Sequence, residues 1–107
     1  MSRKRERLSE QIREIIAGFV VENAPPDVGV VSITRVDLTK DGSMARVYFT
    51  VLPEENAKRV KEFLEENKKA LISRIRKLRI KTIPHLEFEE DKELKIMEKL
   101  WGEDGKV

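Results

Sequence analysis

Val30-Val31-Ser32-Ile33-Thr34-Arg35-Val36-Asp37-Leu38-Thr39-Lys40-Asp41-Gly42-Ser43-Met44-Ala45-Arg46-Val47-Tyr48-Phe49-Thr50-Val51-Leu52 is the stretch whose pattern decides the fold. Residues 30–39 are rich in β-branched side chains, which suit a pleated, half-buried surface. Residues 44–52 alternate, with Ala45, Val47, Phe49 and Val51 on one face and Arg46, Tyr48 and Thr50 on the other. Asp41-Gly42 stands between the two runs, and Gly42 can take the positive φ that a tight hairpin turn needs. The stretch therefore predicts two antiparallel strands with one apolar face, and that face needs a cover.

The flanking segments supply it. Upstream, Leu8, Ile12, Ile15, Ile16, Phe19 and Val20 recur at spacings of three and four, which predicts a helix over residues 3–23. Ala24-Pro25-Pro26-Asp27 ends it, because proline lacks an N–H and disfavours helix in the residue before it. Downstream, Pro53-Glu54-Glu55 opens a long helix, with proline in the first turn and acids near the positive end of the dipole. Glu54–Lys58 and Glu55–Arg59 are spaced for intrahelical pairs. The apolar stripe of this helix is Val60, Phe63, Leu64, Leu71, Ile72, Ile75 and Leu78. Asn67 and Lys68 interrupt the stripe, so the helix is expected to bend there or Lys68 to snorkel. Ile80 would fall on the polar side, which places the helix end near Leu78. Ile83-Pro84 then leads into a short third strand carrying Leu86 and Phe88. Leu94, Met97, Leu100 and Trp101 suggest a last short helix, fraying from Gly102. The expected architecture is one α+β domain spanning residues 1–107, two layers deep, with the long helix as the crossover back to the sheet.

Composition narrows the chemistry. The 107 residues carry 22 basic and 20 acidic side chains, a balance that argues against a self-repelling disordered chain. Cysteine is absent, which excludes disulfides, thiol catalysis and thiolate metal sites. The single histidine, His85, cannot build a multi-histidine metal site, and no nucleophile constellation surrounds it in sequence. The first residues are too charged for a secretory signal and no apolar run approaches a membrane span, so the expected location is cytoplasmic. Binding rather than catalysis is expected, by a monomer, with no cofactor, metal or small-molecule substrate.

The net charge of +2 hides a segregation. Residues 68–81 contain Lys68, Lys69, Arg74, Arg76, Lys77, Arg79 and Lys81 and no acid. From His85 onward acids dominate, with Glu87, Glu89, Glu90, Asp91, Glu93, Glu98, Glu103 and Asp104. A second basic group, Arg3, Lys4, Arg5 and Arg7, opens the chain. On a helix, Lys69, Arg76 and Lys77 would lie opposite the apolar stripe, with Arg74 and Lys81 flanking it. A positive surface with no acidic partner in its own segment is of the kind that neutralises phosphates. The plainer alternative is a solvated helix face. Tyr48 points off the apolar face and could stack on a base or simply cover the sheet. Gly102-Glu103-Asp104-Gly105 has a GXXG spacing, but it lies in an acidic tail rather than between two helices.

Several segments taken in order resemble the ribosome-binding factor A family. They are residues 31–41 and Met44-Ala45-Arg46-Val47-Tyr48-Phe49-Thr50-Val51-Leu52, then Leu71-Ile72-Ser73-Arg74, Leu78-Arg79, and Ile83-Pro84-His85-Leu86-Glu87-Phe88 with Asp91. The resemblance implies a type II KH-like fold, α-β-β-α-β with a kinked second helix. The family's kink would fall near Lys68-Lys69-Ala70, where the stripe independently breaks; Ala70 stands where the family favours glycine. Pro26-Asp27 replaces the family's proline-arginine. The function implied is binding to the immature small ribosomal subunit and its ribosomal RNA to assist late maturation. The alternatives are a KH-like nucleic-acid module with no ribosomal role, or a protein-interaction domain that sets its basic face on an acidic partner.

Overall fold

A sheet with one apolar face and two amphipathic helical segments can hide its hydrophobic surface by stacking them in two layers. The computed structural model, which describes residues 3–92, does so. Helix α1 (Arg3–Asn23) leads through a 3₁₀ turn (Pro26–Val28) into β1 (Val30–Leu38) and β2 (Met44–Leu52). A second 3₁₀ turn (Glu54–Asn56) precedes α2 (Ala57–Glu66), α3 (Lys68–Arg76) and β3 (His85–Glu90). The short helix expected around residues 94–101, and the Gly102 to Gly105 spacing, lie outside the described residues.

The hairpin forms at the expected place. Gly42 has φ 75°, and Thr39 N–H donates to the Met44 carbonyl at 3.0 Å. Asp41 Oδ1 accepts from the Ser43 hydroxyl at 2.8 Å, the Ser43 N–H at 3.0 Å and the Thr39 hydroxyl at 3.0 Å. These donors hold the Asp41 carboxyl below the usual carboxylate range. The strand order is β1-β2-β3, with β2 antiparallel to β1 and parallel to β3. A parallel neighbour cannot be reached by a hairpin, so α2, α3 and the connector 77–84 carry the chain back from one end of the sheet to the other.

The core sits between the layers. Ala45, Val47, Phe49 and Val51 meet Ile12, Ile16, Phe19 and Val20 of α1, and Val60, Leu64, Leu71 and Ile75 of α2 and α3. On the other face, the Arg35 guanidinium lies 4.2 Å from the centre of the Tyr48 ring, and Arg46 reaches Glu89 at 3.2 Å and Glu87 at 3.6 Å. Tyr48 therefore covers sheet surface beneath an arginine.

Two local features differ from the expectation. First, β1 carries a bulge, with the register slipping between Ile33 and Arg35. That slip lets Ile33 and Val36, three residues apart, both face the core, and it frees Thr34 to donate to buried Asp91 at 2.6 Å. Second, residues 54–56 form a 3₁₀ turn rather than the first turn of an α-helix, because Asn56 N–H bonds the Pro53 carbonyl and its side chain donates to the Val28 carbonyl at 2.8 Å. Arg59 correspondingly pairs with Asp27 at 3.2 Å instead of with Glu55. β3 forms as expected, starting at His85, one residue past buried Pro84, and running to Glu90 with Leu86 and Phe88 buried.

The bend falls where the stripe breaks. Asn67, at φ −103° and ψ 14°, ends α2 and begins α3, and its side chain donates to the Phe63 carbonyl at 2.8 Å. Lys68 bridges the bend, with Nζ 3.0 Å from Glu65 and 5.8 Å from the centre of the Phe88 ring.

Two glycines set opposite expectations. Gly29 has φ 101°, and a Cβ there would run into the Leu52 carbonyl. Gly18 lies mid-helix with open space where a Cβ would stand. Gly29→Ala should lower unfolding free energy by at least about 1–2 kcal/mol. Gly18→Ala should raise it by about 0.5–1 kcal/mol. Urea denaturation measures both, and destabilisation by Gly18→Ala would show that this helix face is not open.

Candidate nucleic-acid interface

The acid-free run 68–81 divides in three dimensions. Lys69, Arg76 and Lys77 are exposed, as their position opposite the apolar stripe predicts. Lys69 and Arg76 line a groove at the α2–α3 bend together with Glu65, Glu66, Ile72 and Ser73. Among the described residues, no ion pair engages Lys69, Arg76, Lys77, Arg79 or Lys81.

Arg74 and Lys68 behave differently, because each finds an acidic partner outside residues 68–81. Arg74 is half-buried against α1, 2.9 Å from Glu22 Oε1 and 5.0 Å from the centre of the Phe19 ring. Lys68 is held by Glu65. Their partners come from other helices, so a survey along residues 68–81 could not reveal them. Arg74 ties α3 to α1, and Lys68 ties the bend to α2.

The connector after α3 has its own logic. Lys77 N–H and Leu78 N–H close a last tight turn onto the Arg74 and Ile75 carbonyls. Arg79 then takes φ 57°, a left-handed conformation that costs a non-glycine residue roughly 1–2 kcal/mol. This reversal turns Ile80 inward, so Leu78 and Ile80 pack against the core while Lys77, Arg79 and Lys81 point to solvent. Continued helical periodicity would have put Ile80 on the polar side; the left-handed residue is why it is partly buried.

At the start of α1, Lys4 and Arg7 are exposed and Arg5 is half-buried. The side chain of Arg3 lies outside the described part. Arg5, Glu6, Ser9 and Glu10 line a groove with Arg35, Val36, Asp37 and Leu38 at the far end of β1. Glu10 is paired with Arg13, which holds its carboxyl below the ordinary range. Asp27, paired with Arg59, is held down in the same way. Lys40 is isolated in sequence from both basic runs; the turn that carries it packs against the connector at Thr82. His85 is exposed at the head of β3. Among the described residues, no group of three histidine, cysteine or acidic side chains is placed to hold a metal ion, and no helix is long and apolar enough to cross a membrane.

Known proteins share this fold. The family model for ribosome-binding factor A matches residues 4–101. The ribosome-binding factor A of Macrococcus caseolyticus is 36% identical over 97 residues, covering 88% of this chain and 85% of its own length. That of Carboxydothermus hydrogenoformans is 36% identical over 112 residues, covering 94% and 86%. The crystal structure of ribosome-binding factor A from Thermus thermophilus superposes with a TM-score of 0.68 at 25% identity, over 78% of this chain and 92% of that one. A homology model of the Thermus thermophilus factor, fitted into a cryo-EM map of a complex of the 30S subunit with ribosome-binding factor A, gives 0.66 at 26% identity, over 79% and 92%.

The division of the basic run is open to test. Arg74→Gln should cost about 0.5–1 kcal/mol of stability, from a partly exposed ion pair and a cation–π contact. Arg76→Gln should change stability by less than about 0.5 kcal/mol, as an unengaged surface residue does. Chemical denaturation of the two variants checks this, and equal effects would remove the distinction between them.

Proposed function

This chain belongs to the ribosome-binding factor A family, and on that footing we propose that it binds the immature small ribosomal subunit, contacts its ribosomal RNA and assists late maturation. The observation that carries the proposal is the family match over residues 4–101 joined to an exposed row of cations. Lys69, Arg76, Lys77, Arg79 and Lys81 stand on α3 and its connector with no ion pair among the described residues. The 30S complex of ribosome-binding factor A, into whose map the Thermus thermophilus homology model was fitted, supports the choice of partner.

The mechanism is one of binding. Lysine and arginine side chains hold phosphates, which positions the protein without reading bases. A bound protein shifts an RNA equilibrium only by its difference in affinity for the two conformations. A rigid two-layer domain suits that role, because its cations sit at fixed separations that one RNA conformation matches and another does not. Lys68 and Arg74 contribute by fixing α3 against its neighbours rather than by meeting phosphate. The protein acts as a monomer in the cytoplasm, without cofactor, metal or small-molecule substrate.

Replacing Lys69, Arg76 and Lys77 together with glutamine should weaken binding to purified small subunits. It should also flatten the plot of log affinity against log salt by up to about 2–3 units, at about 0.7–0.9 for each phosphate no longer neutralised. Glu62→Gln, on the exposed side of α2, should leave binding unchanged or slightly stronger. Circular dichroism confirms folding. Wild-type affinity and an unchanged slope in the folded triple variant would make this face a solvated surface only.

A further inference from the structure

Three chain segments that are distant in sequence meet at the hairpin end of the sheet. The turn of residues 40–43 packs against the connector: a Cβ on Gly42 would lie 3.8 Å from Cβ of Thr82, and the His85 N–H donates to the Ser43 carbonyl at 2.8 Å. The first turns of α1 arrive at the same end, because Arg5, Glu6, Ser9 and Glu10 line one groove with Arg35, Val36, Asp37 and Leu38. Each segment brings exposed cations. Lys40 comes from the turn, Lys81 from the connector, and Lys4 and Arg7 from α1.

The acids at this end are already engaged. Asp41 accepts from the Ser43 and Thr39 hydroxyls and the Ser43 N–H. Asp37 lies 3.8 Å from Arg35, and Glu10 is paired with Arg13. Lys40, Lys81, Lys4 and Arg7 have no ion pair among the described residues. Three strands span roughly 10 Å from first to last. Cations set across an edge of that width suit a run of phosphates better than one small anion. The edge also continues through Lys77 and Arg79 onto the face of α3.

We infer that the hairpin end is a second contact for an RNA backbone, with Lys40 and Lys81 at its centre and Lys4 and Arg7 along its flank. This rests on the ribosomal reading above and extends it. Phosphate contacts would run from the α3 face, along the connector, to the turn between β1 and β2. Lys40, which belongs to neither basic run in sequence, is a binding residue on this account.

The test uses the full chain and purified small subunits. Lys40→Gln should weaken binding at least about fivefold in about 0.1 M salt and flatten the salt slope by up to about 0.7–0.9 units. Lys40→Gln with Lys81→Gln should roughly double that flattening of the slope. Lys58→Gln with Lys61→Gln, on α2, should bind like the wild type. All these side chains are exposed, and thermal unfolding verifies that each variant folds. Wild-type affinity and slope in the folded Lys40/Lys81 variant, with binding still weakened by the α3 substitutions, would overturn this inference and leave the ribosomal reading standing. Failure of the wild type to bind the subunit would overturn both. A photo-crosslinker carried at position 40 should label ribosomal RNA, and label found only on ribosomal protein would overturn the assignment to RNA.

Discussion

The parallel pairing of β3 with β2 is the constraint on which the rest of the molecule depends. A hairpin cannot deliver a parallel neighbour, so the chain must leave β2 at one end of the sheet and re-enter at the other. Everything between Leu52 and His85 is that return path, and it is built to serve the core as it goes. Val60 and Leu64 of α2 and Leu71 and Ile75 of α3 cover the buried side of β2 and β3. Asn67 allows the change of direction between the two helices by capping the Phe63 carbonyl with its own side chain. At the far end of β3, Asp91 N–H bonds the Phe49 carbonyl at 2.7 Å and its carboxylate accepts from Thr34, so the last strand is tied across β2 to the first.

The same return path generates the surface proposed to meet RNA. A crossover helix buries one side only, and its outer side carries the cations. Two of those cations are drawn into the scaffold: Lys68 toward Glu65 and the Phe88 ring, and Arg74 toward Glu22 and the Phe19 ring. The rest stay exposed, without an ion pair among the described residues. Arg79 is the telling case. Its left-handed backbone would suit glycine better, yet an arginine occupies it, between the inward anchors Leu78 and Ile80. The conformational cost is tolerated where the connector has to reverse, and the charge is presented outward at the reversal.

Much of this was legible in the residues. Asp41-Gly42 announced the hairpin, the alternation from Ala45 to Val51 announced which face is buried, and the broken stripe at Asn67 announced the bend. Those features are local, and local periodicity records them. The β1 bulge was marked only by the three-residue spacing of Ile33 and Val36, which departs from strand alternation by one residue. The partners of Arg74 and Arg59 left no local mark. Glu22 is 52 residues from Arg74, and Asp27 is 32 residues from Arg59. A charge census along the chain can find a basic segment, but only packing decides which of its members are neutralised from within. Lys40 shows the converse, since the turn that carries this lone lysine meets the connector only through the fold.

The most direct measurement is a structure of this protein bound to the small ribosomal subunit, resolved well enough to place lysine and arginine side chains against RNA phosphates. The outer side of α3 and the connector should face the RNA backbone, with Lys69, Arg76, Lys77, Arg79 and Lys81 at hydrogen-bonding distance from phosphate oxygens. Arg74 should remain on Glu22. A complex in which the open sheet face, with Tyr48, Arg46 and Glu89, meets the RNA while the cations of α3 point to solvent would contradict this.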